Sequence, residues 1–212
     1  MNRPRLLDLF CGAGGATRGY QQAGFYVCGV DIEPQPNYVG DEFISADALL
    51  VLASNWVAEF DAIHASPPCQ RFAGTYQDHS RHPDLLTPVR ELLKRTGMPY
   101  VIENIATAPM PDSILLCGAT FDLPLIRHRR FEIHPDPVLA PSLCPQSSHG
   151  RGVQHKGRYA YGRKTWQPNW RKHVLPVVWP WMTVEESGQA IPPAYTEWIG
   201  ARLLEHLAEV AA

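Results

Sequence analysis

Short apolar runs, each closing on glycine, proline or a lone charged residue, set the rhythm of this chain. Leu6 to Phe10 is the first, and Gly12-Ala13-Gly14-Gly15 then turns the backbone into a helix predicted to end near Gly24. A second strand, Tyr26 to Val30, closes on Asp31, and a third precedes Asp47. Phe60 to Ala65 and Tyr100 to Ile102 read as buried strands, the latter running into Glu103. Ile126 to Ile133 alternates as one strand, which puts Arg127 and Arg129 on one face. Pro193 to Val210 reads as a helix with Ile199, Leu203, Leu207 and Val210 along one stripe. Strands alternating with helices predict one doubly wound α/β domain carrying a small irregular insertion.

Several of these run-ends carry chemistry. Ser66-Pro67-Pro68-Cys69-Gln70 follows the Phe60 to Ala65 strand and sets a cysteine where strand gives way to loop, the position of a nucleophile. Taken alone, such a cysteine also fits inert core filler. The glycine turn followed by an acid about 20 residues on is the arrangement of nucleotide-binding βαβ units. Thr17 stands where the dinucleotide fingerprint has its third glycine, so a pyrophosphate is disfavoured. S-adenosylmethionine, with a ribose and a carboxylate but no phosphate, fits better. A turn with no ligand is the plain alternative. Glu103 reads as an acid delivered to the C-terminal edge of the sheet, or as a solvated strand end. Arg127 and Arg129 read as a pair able to hold an anion and a base carbonyl, or as a basic edge strand.

In register, these motifs make the chain resemble the DNA cytosine-C5 methyltransferases. The residues that carry the resemblance are Asp8-Leu9-Phe10 with the glycine turn, Asp31, Asp47, Pro68-Cys69-Gln70, Glu103-Asn104, Arg127 with Arg129, and Gly188 to Pro193. The chain departs from the pattern at Ser66, Ala73, Leu125 and Gln189. The resemblance implies a Rossmann-like fold that binds S-adenosylmethionine and methylates C5 of cytosine in DNA. It implies that Cys69 adds to C6 of the base, that Glu103 bonds N3 and the exocyclic amine, and that Arg129 binds O2 and orients Glu103. Arg127 and Asn104 complete the catalytic set. Phe10, Gly12 and Gly14 would surround the methionine and ribose, with Pro68 nearby. Asp31 would take the ribose hydroxyls, Ile32 the adenine face and Asp47 the adenine amine. The C-terminal helix is expected to pack back against the first strand. Two alternatives remain: a cytosine-C5 methyltransferase acting on RNA, and a non-catalytic DNA-binding relative.

Composition narrows the setting. A chain of 212 residues, 45% hydrophobic, can bury one α/β core. Its five cysteines form no framework of pairs, which fits a reducing compartment, and no apolar run is long enough to span a bilayer. A cytoplasmic, prokaryotic or viral protein acting as a monomer is expected. The net charge of −2 does not announce a nucleic-acid binder, but its distribution does. Between Pro137 and Val184 there is no acid, while Arg151, Lys156, Arg158, Arg163, Lys164, Arg171 and Lys172 alternate with Tyr159, Tyr161, Trp166, Trp170, Trp179 and Trp181. Such a stretch suits phosphate contact and base stacking, or is a basic solvated insertion. We therefore expect a catalytic and cofactor-binding unit at 1–136 plus 182–212 and a target-recognition insertion at 137–181. Gln70 and Arg71 join the DNA contacts, and the loop from Arg71 to about Leu86 is expected to fold over a cytosine flipped out of duplex DNA. Cys144, His149, His155 and His173 match no standard zinc spacing, and no metal is expected.

Overall fold

The computed structural model describes residues 3–73, 82–123, 125–135, 159–160 and 175–212. In chain order the elements are β1 (Arg5–Leu9), α1 (Gly15–Ala23), β2 (Tyr26–Asp31), β3 (Glu42–Ser45), α2 (Ala48–Leu52), β4 (Ala62–Ala65), α3 (Leu86–Thr96), β5 (Tyr100–Ile105), β6 (Ile114–Leu116), β7 (Leu125–Ile126), β8 (Arg129–His134), β9 (Tyr159–Ala160), α4 (Leu175–Val178), α5 (Val184–Gln189) and α6 (Pro193–Val210).

Seven strands form one sheet in the order β3-β2-β1-β4-β5-β8-β6. The first five run parallel, and β8 is antiparallel to both its neighbours. The chain moves outward from β1 through β2 to β3, then returns to place β4 on the other side of β1. That reversal opens a crevice beyond the C-terminal ends of β1 and β4, where ligands of doubly wound sheets collect. The Phe10–Gly14 turn and the Ser66–Cys69 loop both leave the sheet there. The fold class read from the sequence is the one observed.

Alternation along the central strands decides which face each residue covers. Leu7, Leu9, Ile63 and Ile102 pack with Val51, Leu52, Val89 and Leu93 of α2 and α3. On the opposite face Leu6, Ala62, Val101 and Phe131 pack with Tyr20 of α1 and Tyr195, Ile199 and Leu203 of α6. Strands covered on both sides explain why the runs in β1, β4 and β5 are nearly all apolar. Besides Arg5 and Asn104, the polar exceptions are Asp8, His64 and Glu103. Each follows a residue that faces α1 and α6 by two positions, so all three lie on that face of three adjacent strands.

Helix α6 packs chiefly on α1, and its Tyr195, Ile199 and Leu203 share a core cluster with Leu6 of the first strand, as expected. Small residues allow the approach: a β-carbon on Gly19 would sit 2.1 Å from both the Pro193 carbonyl oxygen and Thr196 Oγ1. Thr196 Oγ1 also donates to the Ala16 carbonyl at 2.8 Å. Val210 leaves the predicted stripe and is 72% exposed, because α6 outruns α1 at its last turn. Gly19→Ala forces the two helices apart. The roughly 1 kcal/mol of helix propensity gained does not offset an overlap costing about 3 kcal/mol. Its melting temperature should fall by roughly 5 °C or more, and thermal unfolding that leaves it unchanged would disprove this close contact.

The single strand predicted for 126–133 is interrupted. Residues 125–126 pair in parallel with 159–160 in a separate two-stranded ladder, and β8 begins only at Arg129. Trp179 and Trp181, grouped by sequence with the basic stretch, belong to the body of the domain. The Trp179 indole is fully buried and donates to the Ile191 carbonyl at 3.0 Å, and Trp181 Nε1 donates to the Ala13 carbonyl at 2.9 Å. No helix among the described residues is long and apolar enough to cross a membrane.

Candidate active site

The crevice is a cleft of about 810 Å³, within the usual range for small-molecule sites. One half is built by the turn after β1. Phe10, Gly12 and Gly14 all have positive φ (59°, 50° and 85°). Glycine takes this conformation freely but phenylalanine does not, so Phe10 is held there by its surroundings. The Gly12 N–H donates to Asp31 Oδ2 at 3.0 Å, and the Glu33 N–H to Asp31 Oδ1 at 3.1 Å. Each carboxylate oxygen keeps a further lone pair for a ligand hydroxyl. Ile32 follows, 66% exposed on the cleft wall. Asp47 caps α2 by accepting from the Leu49 N–H at 2.7 Å, and it also lines the cleft. Phe10, Gly12, Asp31, Ile32, Asp47 and Pro68 thus share one cavity. Gly14 does not line it and packs against Tyr38 and Val39.

The other half is built by the ends of β4, β5 and β8. Cys69 is half-buried and opens a short 3₁₀ turn, Gln70–Phe72. Glu103 is 6% exposed and lies opposite Phe131 across the β5–β8 ladder. Arg129, opposite Ile105, is its diagonal neighbour, and Arg129 Nε reaches Glu103 Oε1 at 2.8 Å. The contact is a close ion pair without the alignment of a hydrogen bond, so Oε1 has no aligned protein donor. Burial raises the Glu103 pKa, opposed by Arg129, Arg127 and a hydrogen bond from the Ser66 side chain. Burial also raises the Cys69 thiol, opposed by Arg129 and reinforced by Glu103. Cysteine, carboxyl and guanidinium therefore sense one another across one wall of the cleft.

Arg127 and Asn104 do not line it. Arg127 is 2% exposed, donates to the Gly188 carbonyl at 2.8 Å and lies over the Trp179 ring. The strand break at 127–128 accounts for this, since it directs Arg127 into the C-terminal segment rather than onto the face of Arg129. Asn104 Nδ2 donates to the Pro67 carbonyl at 3.0 Å and so fixes the loop two residues before Cys69. Both residues lie outside the cleft. Gln70 lines the cleft, whereas Arg71 does not and lies near Asp84.

Arg151, Lys156, Arg158, Arg163, Lys164, Arg171 and Lys172 lie outside the described residues, as do Gly74, Tyr76, His79 and Arg81 of the expected lid and Cys144, His149, His155 and His173. Among the described residues no three His, Cys, Asp or Glu side chains gather as metal ligands.

Sequence reasoning assigned no part to two polar groups beside the cleft. Asp8 is fully buried, accepts from Thr17 Oγ1, borders the cavity and has an Oδ1 with no protein partner. His64, also fully buried, lies between the Tyr20 hydroxyl at 2.9 Å and Ser66 Oγ at 2.8 Å. The signal for these was a polar residue interrupting an apolar run, but only the paired strands bring them side by side.

No family model matches the chain. It is 30% identical over 123 residues to the Type II methyltransferase M.XorII of Xanthomonas oryzae pv. oryzae, covering 50% of this chain and 29% of that protein. Among solved structures it is similar to a candidate DNA modification methyltransferase encoded within an E. coli prophage, with 21% identity, 61% of this chain, 46% of that one and TM-score 0.49. It is also similar to the S. pombe Dnmt2 methyltransferase, with 20% identity, 62% of this chain, 49% of that one and TM-score 0.48. The chain spans less than a third of the length of the curated relative and about half of each of these structures.

Proposed function

We propose that the protein transfers a methyl group from S-adenosylmethionine to C5 of cytosine in DNA. The observation that carries this reading is the meeting of Cys69, Glu103 and Arg129 on one cleft wall, with Asp31, Ile32 and Asp47 in the same cavity. The partial match to a protein named as a Type II methyltransferase agrees with it.

The cofactor fits the residues present. Asp31 and Asp47 offer carboxylates to ribose hydroxyls and to the adenine amine, and Ile32 offers an exposed apolar face to the ring. Asp8 Oδ1 is a buried polar atom beside the same cavity with no protein partner. When bound, S-adenosylmethionine supplies an electrophilic methyl group.

The protein's own groups perform the rest. C5 of cytosine is a weak nucleophile until a group adds at C6. Cys69 Sγ makes that addition, and the ring becomes electron-rich at C5. Glu103, with its pKa raised, shares a proton with N3 and so draws charge away from C6 as sulfur arrives. Arg129 holds Glu103 and offers a donor to O2 of the base. After methylation a base removes the C5 proton, the C6–Sγ bond breaks, and the thiolate is restored.

The direct test supplies the protein with methyl-labelled S-adenosylmethionine and, in parallel, duplex DNA or structured RNA. Label should appear as 5-methylcytosine in DNA, and bisulfite sequencing of DNA from expressing cells should show the same mark with its sequence context. Label in RNA alone would move the activity to the RNA-directed alternative. DNA binding without label in either polymer would leave only a binding protein.

A further inference from the structure

A chain of hydrogen bonds leads from the core to Ser66, beside the site's carboxyl group, and the mechanism above does not use it. The Tyr20 hydroxyl of α1 lies 2.9 Å from His64 Nδ1, and His64 Nε2 lies 2.8 Å from Ser66 Oγ. Ser66 and Glu103 stand one position beyond the Ala65–Ile102 pair of the β4–β5 ladder, and both line the cleft; the Ser66 side chain favours the charged Glu103 carboxyl as a hydrogen bond would. Tyr20 and His64 are fully buried, and Ser66 borders the cleft.

The direction of the chain follows from counting protons. Burial holds His64 neutral, its pKa pushed down to about 3, so one ring nitrogen donates and the other accepts. If the Tyr20 hydroxyl donates to Nδ1, then Nε2–H donates to Ser66 Oγ and the Ser66 hydroxyl is left to donate to Glu103. In the reverse order the Tyr20 proton would need an acceptor other than His64. Burial would then leave that proton unmatched, at a cost. The arrangement with every group matched therefore directs three successive donors at Glu103.

We propose that Ser66, aligned by His64 and Tyr20, is a positioning residue that fixes the rotamer of Glu103 and sets how tightly its carboxyl holds a proton. This deepens the cytosine-methylation reading and rests on it for its catalytic consequence. Glu103 then has one donor at its back in Ser66 and one cation at its flank in Arg129, leaving an edge for the base. The other groups facing it are Arg127, which favours the charged form, Cys69 beside it and Asp8 on β1. None of these contributes a hydrogen bond to Glu103 as Ser66 does. A residue without a hydroxyl at position 66 could make no such bond.

Two measurements on the whole chain test the proposal. The first is a titration of the Glu103 side-chain carbon by ¹³C NMR, assigned by its loss in Glu103→Gln. Ser66→Ala removes a donor from the charged form, so the midpoint should rise by about one pH unit, the equivalent of one hydrogen bond to a charge. Ser66→Thr, which keeps the hydroxyl, should restore it. The second is the pH profile of methyl transfer. Its Glu103-dependent limb should move up with the NMR midpoint in Ser66→Ala, and kcat should fall on the order of tenfold while KM for S-adenosylmethionine stays the same. An unchanged midpoint in a folded Ser66→Ala protein would overturn the relay whatever the reaction is. A midpoint that moves as expected in a protein with no cytosine methylation would keep the relay and reject the reaction.

Discussion

Cys69→Ala should reduce methyl transfer by at least about a thousandfold, which corresponds to about 4 kcal/mol of barrier. Without sulfur the ring has no group to add at C6, and C5 stays a poor nucleophile however well the cofactor binds. Cys69→Ser should be nearly as inactive, since a hydroxyl is far harder to ionise than a thiol. Burial already holds Cys69 above the ordinary thiol range, against the pull of Arg129. The thiolate is therefore a small fraction at neutral pH, and wild-type turnover should rise as pH increases through 7 to 9. Affinity for S-adenosylmethionine, measured by calorimetry on the same variants, should change little, because the residues proposed to hold it, Asp31, Ile32 and Asp47, are unchanged in them. Duplex DNA carrying 5-fluorocytosine gives an independent readout. Fluorine at C5 leaves no proton to remove, so wild-type protein should remain joined to the base through sulfur, and neither variant should. Methyl transfer within tenfold of wild type in Cys69→Ala would reject the covalent mechanism.

How far the sequence led depended on whether an element is defined by its own residues or by its partners. β1, the glycine turn, α1 and β2 were legible because their apolar runs are continuous and the turn requires positive φ at Gly12 and Gly14. β4 and β5 were legible for the same reason, and their ends deliver Cys69 and Glu103 to one cleft. The strand across Arg127 was misread because alternation alone cannot register a partner 34 residues away: Leu125 pairs with Tyr159 in a different ladder. Trp179 and Trp181 were assigned by neighbourhood to the basic stretch, yet their indoles donate to the Ile191 and Ala13 carbonyls. Nothing local announces those acceptors. Ser66 stood out only as a departure from a motif, and its meaning depends on His64 in the preceding strand and on Tyr20 in α1.

The buried polar row also governs stability. Asp8→Asn should change how stability depends on pH more than any other single substitution in this core. Burial pushes the Asp8 carboxyl up to about 7 in the folded protein, opposing its bond from Thr17, against 3.8 in the unfolded chain. Between these values the folded state holds a proton that the unfolded state has lost, so stability declines as pH rises from about 4 to 7. The full penalty, present above pH 7, is roughly 4 kcal/mol. His64 acts in the opposite sense. Its folded pKa, pushed down to about 3 by burial, lies below the ordinary value of 6.5, so its stabilisation is lost as pH falls from 6.5 to 3. The two slopes nearly cancel from about pH 4 to 6.5, and wild-type protein should show a flat profile there. The contribution of Asp8 emerges as a difference between proteins. In urea unfolding without ligand, the gap between Asp8→Asn and wild type should be constant below pH 4. It should then grow in favour of the variant by about 1.4 kcal/mol per pH unit, and level off above pH 7. A gap that does not vary with pH would mean that Asp8 is already ionised in the folded protein. Its orphan oxygen would then face water admitted by the cleft, not the dry interior between β1 and α1.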